Sequence, residues 1–150
     1  MKRTIAAAIL CLMLVLSLAI PAFADSTATG VQNYATVTSD GNCEVTLTVF
    51  LHLEEQIPNL TFPLPANATN IKIDGGNAKT SRSGAAMEVD LSHLENFVGD
   101  TVIRFTYTVP NVVSVLEGKL YLNLPLLSGF DYPIESMKFD LMLPAKISFR

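Results

Sequence analysis

Between Cys43 and Leu53 the chain reads Cys-Glu-Val-Thr-Leu-Thr-Val-Phe-Leu-His-Leu, with an apolar residue at almost every second position. That period belongs to a strand, because successive side chains leave a pleated backbone on opposite faces. Cys43, Val45, Leu47, Val49, Leu51 and Leu53 therefore share one face. Glu44, Thr46, Thr48, Phe50 and His52 share the other. One face belongs in a core and one toward solvent, and a slip of one residue would exchange them. The period recurs in residues 86–91, which turn Met87, Val89 and Leu91 inward, and in 101–109, with Ile103, Phe105, Tyr107 and Val109. It recurs again in 118–124, with Leu120, Leu122 and Leu124, and in 135–143, with Met137, Phe139, Leu141 and Leu143. Residues 31–38 supply one more strand. Ser39-Asp40-Gly41-Asn42 joins it to 43–53, since Asp-Gly between strand-like runs is a strong hairpin signal. No amphipathic helix is long enough to carry a parallel crossover. The pattern predicts an all-β antiparallel β-sandwich, immunoglobulin-like or similar.

The intervening segments are punctuated. Pro58, Pro63 and Pro65 break residues 54–70, and proline lacks the N–H that a central strand needs, so an edge strand or extended crossing is expected there. Residues 71–74 read as a short strand and Gly75-Gly76-Asn77 as a turn. Residues 92–99 form one helical turn at most, with Ser92 as its N-cap and Glu95 completing a capping box.

The N-terminus has a different logic. Lys2 and Arg3 precede an uncharged apolar run, which ends at Pro21 and Ala22-Phe23-Ala24. A positive start, an apolar stretch and an A-x-A site make a secretory signal peptide over residues 1–24, cleaved after Ala24. Residues 25–150 then form a single domain, large enough for a proper core. Leu10 before Cys11 is wrong for lipidation, and Leu143-Pro144-Ala145-Lys146 lacks the rest of a sortase signal. The residues after Pro144 begin what could be another strand, which suggests the front part of a longer protein. Losing Lys2 and Arg3 with the leader takes the net charge from −4 to −6. An acidic chain without basic clusters argues against nucleic acid, whose phosphates require Lys and Arg patches. Cys43 is left as the sole cysteine, so no intrachain disulfide can form. With no His or Lys beside it, Cys43 reads as inert.

Candidates for chemistry are few. His52 and Glu54 lie two apart on one strand face, and His93 and Glu95 repeat that spacing. If the two pairs converged they could hold a metal, zinc before calcium, though each pair also fits a solvated polar edge. Asp90, Ser92 and His93 are the residue types of a hydrolytic triad, but adjacent positions on a strand diverge and no G-x-S-x-G elbow is present. Asp74-Gly75-Gly76-Asn77 lacks the calcium-loop pattern and fits a turn. Asn59 and Asn67 fit a glycosylation pattern by chance, since the leader looks bacterial. Phe50, Tyr121 and Tyr132 fall outside the inward register and are the candidate ligand-binding aromatics, with burial under the Pro-rich segment as the alternative. No cofactor motif is present.

One resemblance follows from these motifs. Val37-Thr38-Ser39-Asp40-Gly41-Asn42-Cys43-Glu44-Val45-Thr46, with Phe130-Asp131-Tyr132-Pro133-Ile134-Glu135 leading through Leu143-Pro144, resembles the extracytoplasmic N-terminal domain of bacterial membrane proteins of the DUF2207 type. It departs from them at Leu47, where that family usually carries an acidic residue, and it lacks the transmembrane part. The resemblance implies a β-sandwich displayed outside the membrane and supplies no site residues.

Taken together, the expectation is an exported, non-catalytic interaction or cell-envelope module, secreted or held at the cell surface. Its partner would be a protein or glycan there, with membrane contact only through a C-terminal region absent from this chain. The alternatives are a metal-assisted hydrolase using His52 and His93, and the ectodomain of a truncated membrane protein.

Overall fold

The structure is a computed structural model that describes residues 26–84, 86–125 and 132–146. The signal peptide with its cleavage site at Ala24, the Phe130-Asp131 part of the resemblance and the last residues of the C-terminal strand lie outside the described residues. No described helix is long and apolar enough to cross a membrane.

The chain folds into strands β1 (Thr27–Val37), β2 (Cys43–Leu53), β3 (Thr61–Pro65), β4 (Thr69–Ile73), β5 (Gly76–Asn77), β6 (Thr80–Ser83), β7 (Ala86–Asp90), β8 (Gly99–Val109), β9 (Val113–Leu116), β10 (Lys119–Leu122) and β11 (Met137–Met142). A 3-10 turn at Ser92–Leu94 follows β7. Six strands form one sheet in the order β11-β1-β2-β8-β4-β5, three form a second in the order β3-β7-β6, and β9 and β10 form a separate hairpin. The expected all-β sandwich is the fold. One pairing departs from a purely antiparallel scheme, because β11 runs parallel to β1.

The alternation in β2 is realised in full. Cys43, Val45, Leu47, Val49, Leu51 and Leu53 are buried, as are Ile103, Phe105, Tyr107 and Val109 of β8 beside them. From the smaller sheet, Phe62, Leu64 and Val89 pack into the same core. Phe62 and Phe105 stack with ring centroids 4.6 Å apart and planes at 25°, which joins the two layers at their centre.

Local chemistry explains the turns and the edge. Thr38 and Asn42 close the β1–β2 hairpin through Thr38 N–H to Asn42 O at 2.9 Å, and Gly41 takes φ +81°, a conformation that costs other residues about 1–2 kcal/mol. The Thr38 hydroxyl and the Asn42 amide both reach the Asp40 carboxylate. In β3 the ladder to β7 runs through the even positions, as shown by Leu91 N–H bonding Leu60 O. Pro63 and Pro65 therefore turn their missing N–H toward the outer edge of that sheet, which is where proline is tolerated.

Two expectations fail. Leu120 and Leu122 were expected inward but are 56% and 40% exposed, because among the described residues β10 pairs with β9 alone and, unlike Val113 of β9, does not pack against the core. Leu124, beyond the strand, is half-buried against the core. Met137, Phe139, Leu141 and Leu143 were also expected inward and are exposed. Met137, Phe139 and Leu141 share the core-side face of the large sheet, in register with Val31, Asn33 and Ala35. The three-stranded sheet is too narrow to cover the flank that β11 adds to a six-stranded one.

Removing the inter-sheet ring should be costly. Phe105→Ala is expected to lose about 3–5 kcal/mol, the usual result of emptying a fully buried aromatic site. Urea unfolding compared with the parent protein measures it, and a loss under 1 kcal/mol would contradict this account of the core.

Candidate functional site

The outward residues of the large sheet form cross-strand rows fixed by register. One row runs Asp140, Tyr34, Thr46, Thr106 and Lys72. The next runs Met142, Thr36, Glu44, Thr108 and Thr69. Together they make a shallow depression of about 420 Å³ lined by Tyr34, Thr36, Glu44, Thr46, Lys72 and Thr106, among others. Tyr34 is 46% exposed, and its hydroxyl meets Met142 Sδ. Each threonine hydroxyl offers one donor and two acceptor positions on a rigid backbone.

At the other end of this face lies His52. Its Nδ1 is 2.6 Å from Asp100 Oδ1 on β8, the cross-strand partner position, and its Nε2 is 2.8 Å from Glu54 Oε1. A neutral imidazole could donate to only one of these carboxylates, so the geometry suits the doubly protonated ring. The hydrogen bond to Asp100, then that to Glu54, holds the His52 pKa above its ordinary value of 6.5.

The structure thus unites His52 with Glu54, adds Asp100, and leaves His93 and Glu95 elsewhere. His93 lies in the exposed 3-10 turn after β7, and Glu95 Oε1 accepts the Asn59 N–H at 3.0 Å. The two carboxylates approach opposite nitrogens of one ring, whose lone-pair directions diverge. Among the described residues no three His, Cys, Asp or Glu side chains form a group able to hold a metal ion. The 3-10 turn is capped differently from the expectation. Ser92 makes no side-chain cap, and instead the Ser92 N–H donates to Asp90 Oδ1 at 2.7 Å. That bond, with the Ser92 hydroxyl, draws the Asp90 pKa below the usual carboxylate value. Asp74, the calcium-loop candidate, accepts the Arg104 N–H at 3.1 Å and ties the β4–β5 turn to β8.

The three candidate aromatics do not share a surface. Phe50 is half-buried on the outer face, lying over Gly30, where an added Cβ would sit 3.3 Å from its ring. Tyr121 is exposed on the β9–β10 hairpin, and Tyr132 is partly buried against the core. Sequence reasoning missed Tyr34, Lys72 and Asp100. The Thr-Leu-Thr of β2 and Thr-Tyr-Thr of β8 were visible signals, but only register shows that Thr46 faces Thr106. Cys43 is fully buried, and burial, then the Glu44 charge, pushes its thiol pKa up.

No protein-family model matches this chain. No curated protein matches it either. Among solved structures it is similar to leukotriene A4 hydrolase from Saccharomyces cerevisiae, at 13% identity and a TM-score of 0.42 over 58% of this chain and 15% of that one. It is also similar to an M1 zinc metallopeptidase from Deinococcus radiodurans, at 14% identity and a TM-score of 0.41 over 73% of this chain and 25% of that one. The chain thus spans a quarter or less of either protein, and likeness at this level assigns neither fold nor activity.

Two outcomes follow from the site. Because the folded-state pKa of His52 is raised, its contribution to stability is fully present below pH 6.5 and is lost as pH rises through the higher folded value. The thermal midpoint should therefore fall on going from acid to alkaline buffer, and His52→Gln should flatten that part of the profile. A His52→Gln profile parallel to the parent's would refute the double clamp. Cys43 should resist Ellman's reagent in the folded protein and react fully in denaturant, and rapid labelling under native conditions would show it to be exposed.

Proposed function

We propose that this protein is an exported, non-catalytic β-sandwich that serves as an interaction module of the cell envelope, recognising a hydroxyl-rich ligand, a surface glycan, through the outer face of its large sheet. The observation that carries the reading is the row Tyr34, Thr46, Thr106 and Lys72 with its flanking threonines. Sugar hydroxyls need donors and acceptors side by side, and the apolar face of a sugar ring needs a flat partner, which Tyr34 offers. A preordered sheet loses little conformational freedom on binding. Among the described residues, the side-chain hydroxyls of Thr36, Thr46, Thr106 and Thr108 make no hydrogen bond within the protein.

Export rests on residues 1–24, and the DUF2207-type resemblance agrees with display outside the membrane. The groups that hydrolysis would recruit are engaged in other ways. His52 has a carboxylate on each nitrogen, Cys43 is buried, and Asp90 holds the backbone of Ser92. The metal-assisted alternative would require His52 to release one carboxylate first.

Two measurements test the proposal. Fractionation of expressing cells should place the protein outside the cytoplasm, and deletion of residues 2–24 should trap it inside; finding the intact chain in the cytosol would sink the export half. The protein should co-sediment with isolated cell-wall glycan, and Tyr34→Ala with Thr106→Val should weaken that binding about tenfold, equivalent to ~1.4 kcal/mol. Unchanged binding by the folded double variant would sink the ligand half.

A further inference from the structure

The six-stranded sheet ends differently on its two sides. One edge is β5, only two residues long. The other is β11, six residues long, and among the described residues it is hydrogen-bonded on one side only, to β1. Its core-side face carries Met137, Phe139 and Leu141, 47%, 38% and 38% exposed. Its outer face carries Lys138 and Asp140, whose Nζ and Oδ2 lie 2.8 Å apart. A long free edge with an uncovered apolar side is a template for another strand.

The register with β1 fixes which backbone groups of β11 are free. Val31 N–H bonds Ser136 O, and Val31 is in register with Met137. In a parallel ladder this sends the backbone groups of residues 136, 138 and 140 toward β1 and those of 137, 139 and 141 toward the open edge. An antiparallel partner therefore forms hydrogen-bonded pairs at odd positions and closely spaced, non-bonded pairs at even positions.

For a second copy of the same strand, each twofold register gives a different set of even pairs. Centred on Lys138, it sets Lys138 against Lys138. Centred on Asp140, it sets Asp140 against Asp140. Centred on Phe139, it sets Lys138 of each copy against Asp140 of the other, at the closer spacing, while Met137 meets Leu141 and Phe139 meets Phe139 on the apolar side. Opposite charges directly across a strand pair stabilise it and like charges oppose it.

We propose that β11 is a self-association edge, at which two copies of this chain join antiparallel about a twofold axis at Phe139. The occupant is a second copy because the charge pattern of β11 is complementary to itself in that register and repels itself in the registers centred one residue to either side. The result is a continuous sheet across both copies, with their exposed apolar flanks merged on one side. This is an isologous contact, so it closes at two. Asp140 also ends the Tyr34 row, but the contact uses the free backbone edge of β11 and does not require the ligand reading.

Sedimentation velocity on the purified protein across a concentration series should show a monomer passing to a dimer. A chain that stays monomeric throughout, or one that assembles beyond two, would overturn the proposal. Lys138→Asp and Asp140→Lys each set like charges across both even pairs and should each weaken self-association at least tenfold. Mixed together they should recover it as a heterodimer, because every even pair is then opposite in charge. Single variants that still dimerise, or folded single variants whose mixture stays monomeric, would overturn it. Should either variant fail to fold, amide exchange on the unaltered protein decides. The Met137, Phe139 and Leu141 amides should gain protection as concentration rises, while those of Lys138 and Asp140 stay protected throughout. Exchange at the odd positions that ignores concentration refutes the contact.

Discussion

The stacked pair Phe62–Phe105 is the contact on which the two-layer arrangement turns. One ring comes from the edge strand of the small sheet and the other from the centre of the large one, and both are fully buried. Each sheet alone would expose one whole apolar face, and the core exists because these faces meet. The position of β3 follows from this. Its prolines must look outward to an edge, so Phe62 and Leu64 look inward onto β8 and its neighbours. Cys43 is free and buried, so among the described residues it is burial of this kind, and not a disulfide, that carries the folding free energy.

Legibility in the sequence followed burial. Where a strand has the second sheet above it, as in β2 and β8, period two named every inward residue correctly. Where the cover runs out, the same period named the correct side but the wrong environment. Phe139 does face the core side in register with Asn33, yet it stays exposed, because alternation reports which side a residue is on and not whether another layer reaches it. The β9–β10 hairpin misled for a related reason, since three alternate leucines look alike on a packed strand and on one that stands clear. The Asp40-Gly41 turn was readable because its chemistry is local.

The candidate site divides in the same way. His52 with Glu54 was visible as a two-residue spacing on one strand. Asp100 comes from a strand 48 residues away, and nothing in the linear pattern pairs the two. That addition changes the meaning of His52. A histidine with one carboxylate could offer its other nitrogen to a metal or a proton relay, while a histidine with two becomes a clamp between β2 and β8. The Thr46–Thr106 row was hidden likewise, because each threonine is unremarkable until its cross-strand neighbour is known.

Cys43 begins the central strand β2 and is sealed beneath it. A fold built this way owes nothing to oxidation. It can reach its final state in a reducing or an oxidising compartment alike, without an isomerase to sort sulfur pairs. The slow part of its assembly is then topological. β1 must wait for β11, which arrives more than 100 residues later in the chain, before its outer side is paired. Until that happens the strand most exposed to wrong partners is β1, so β11 shields an edge laid down at the start of the domain.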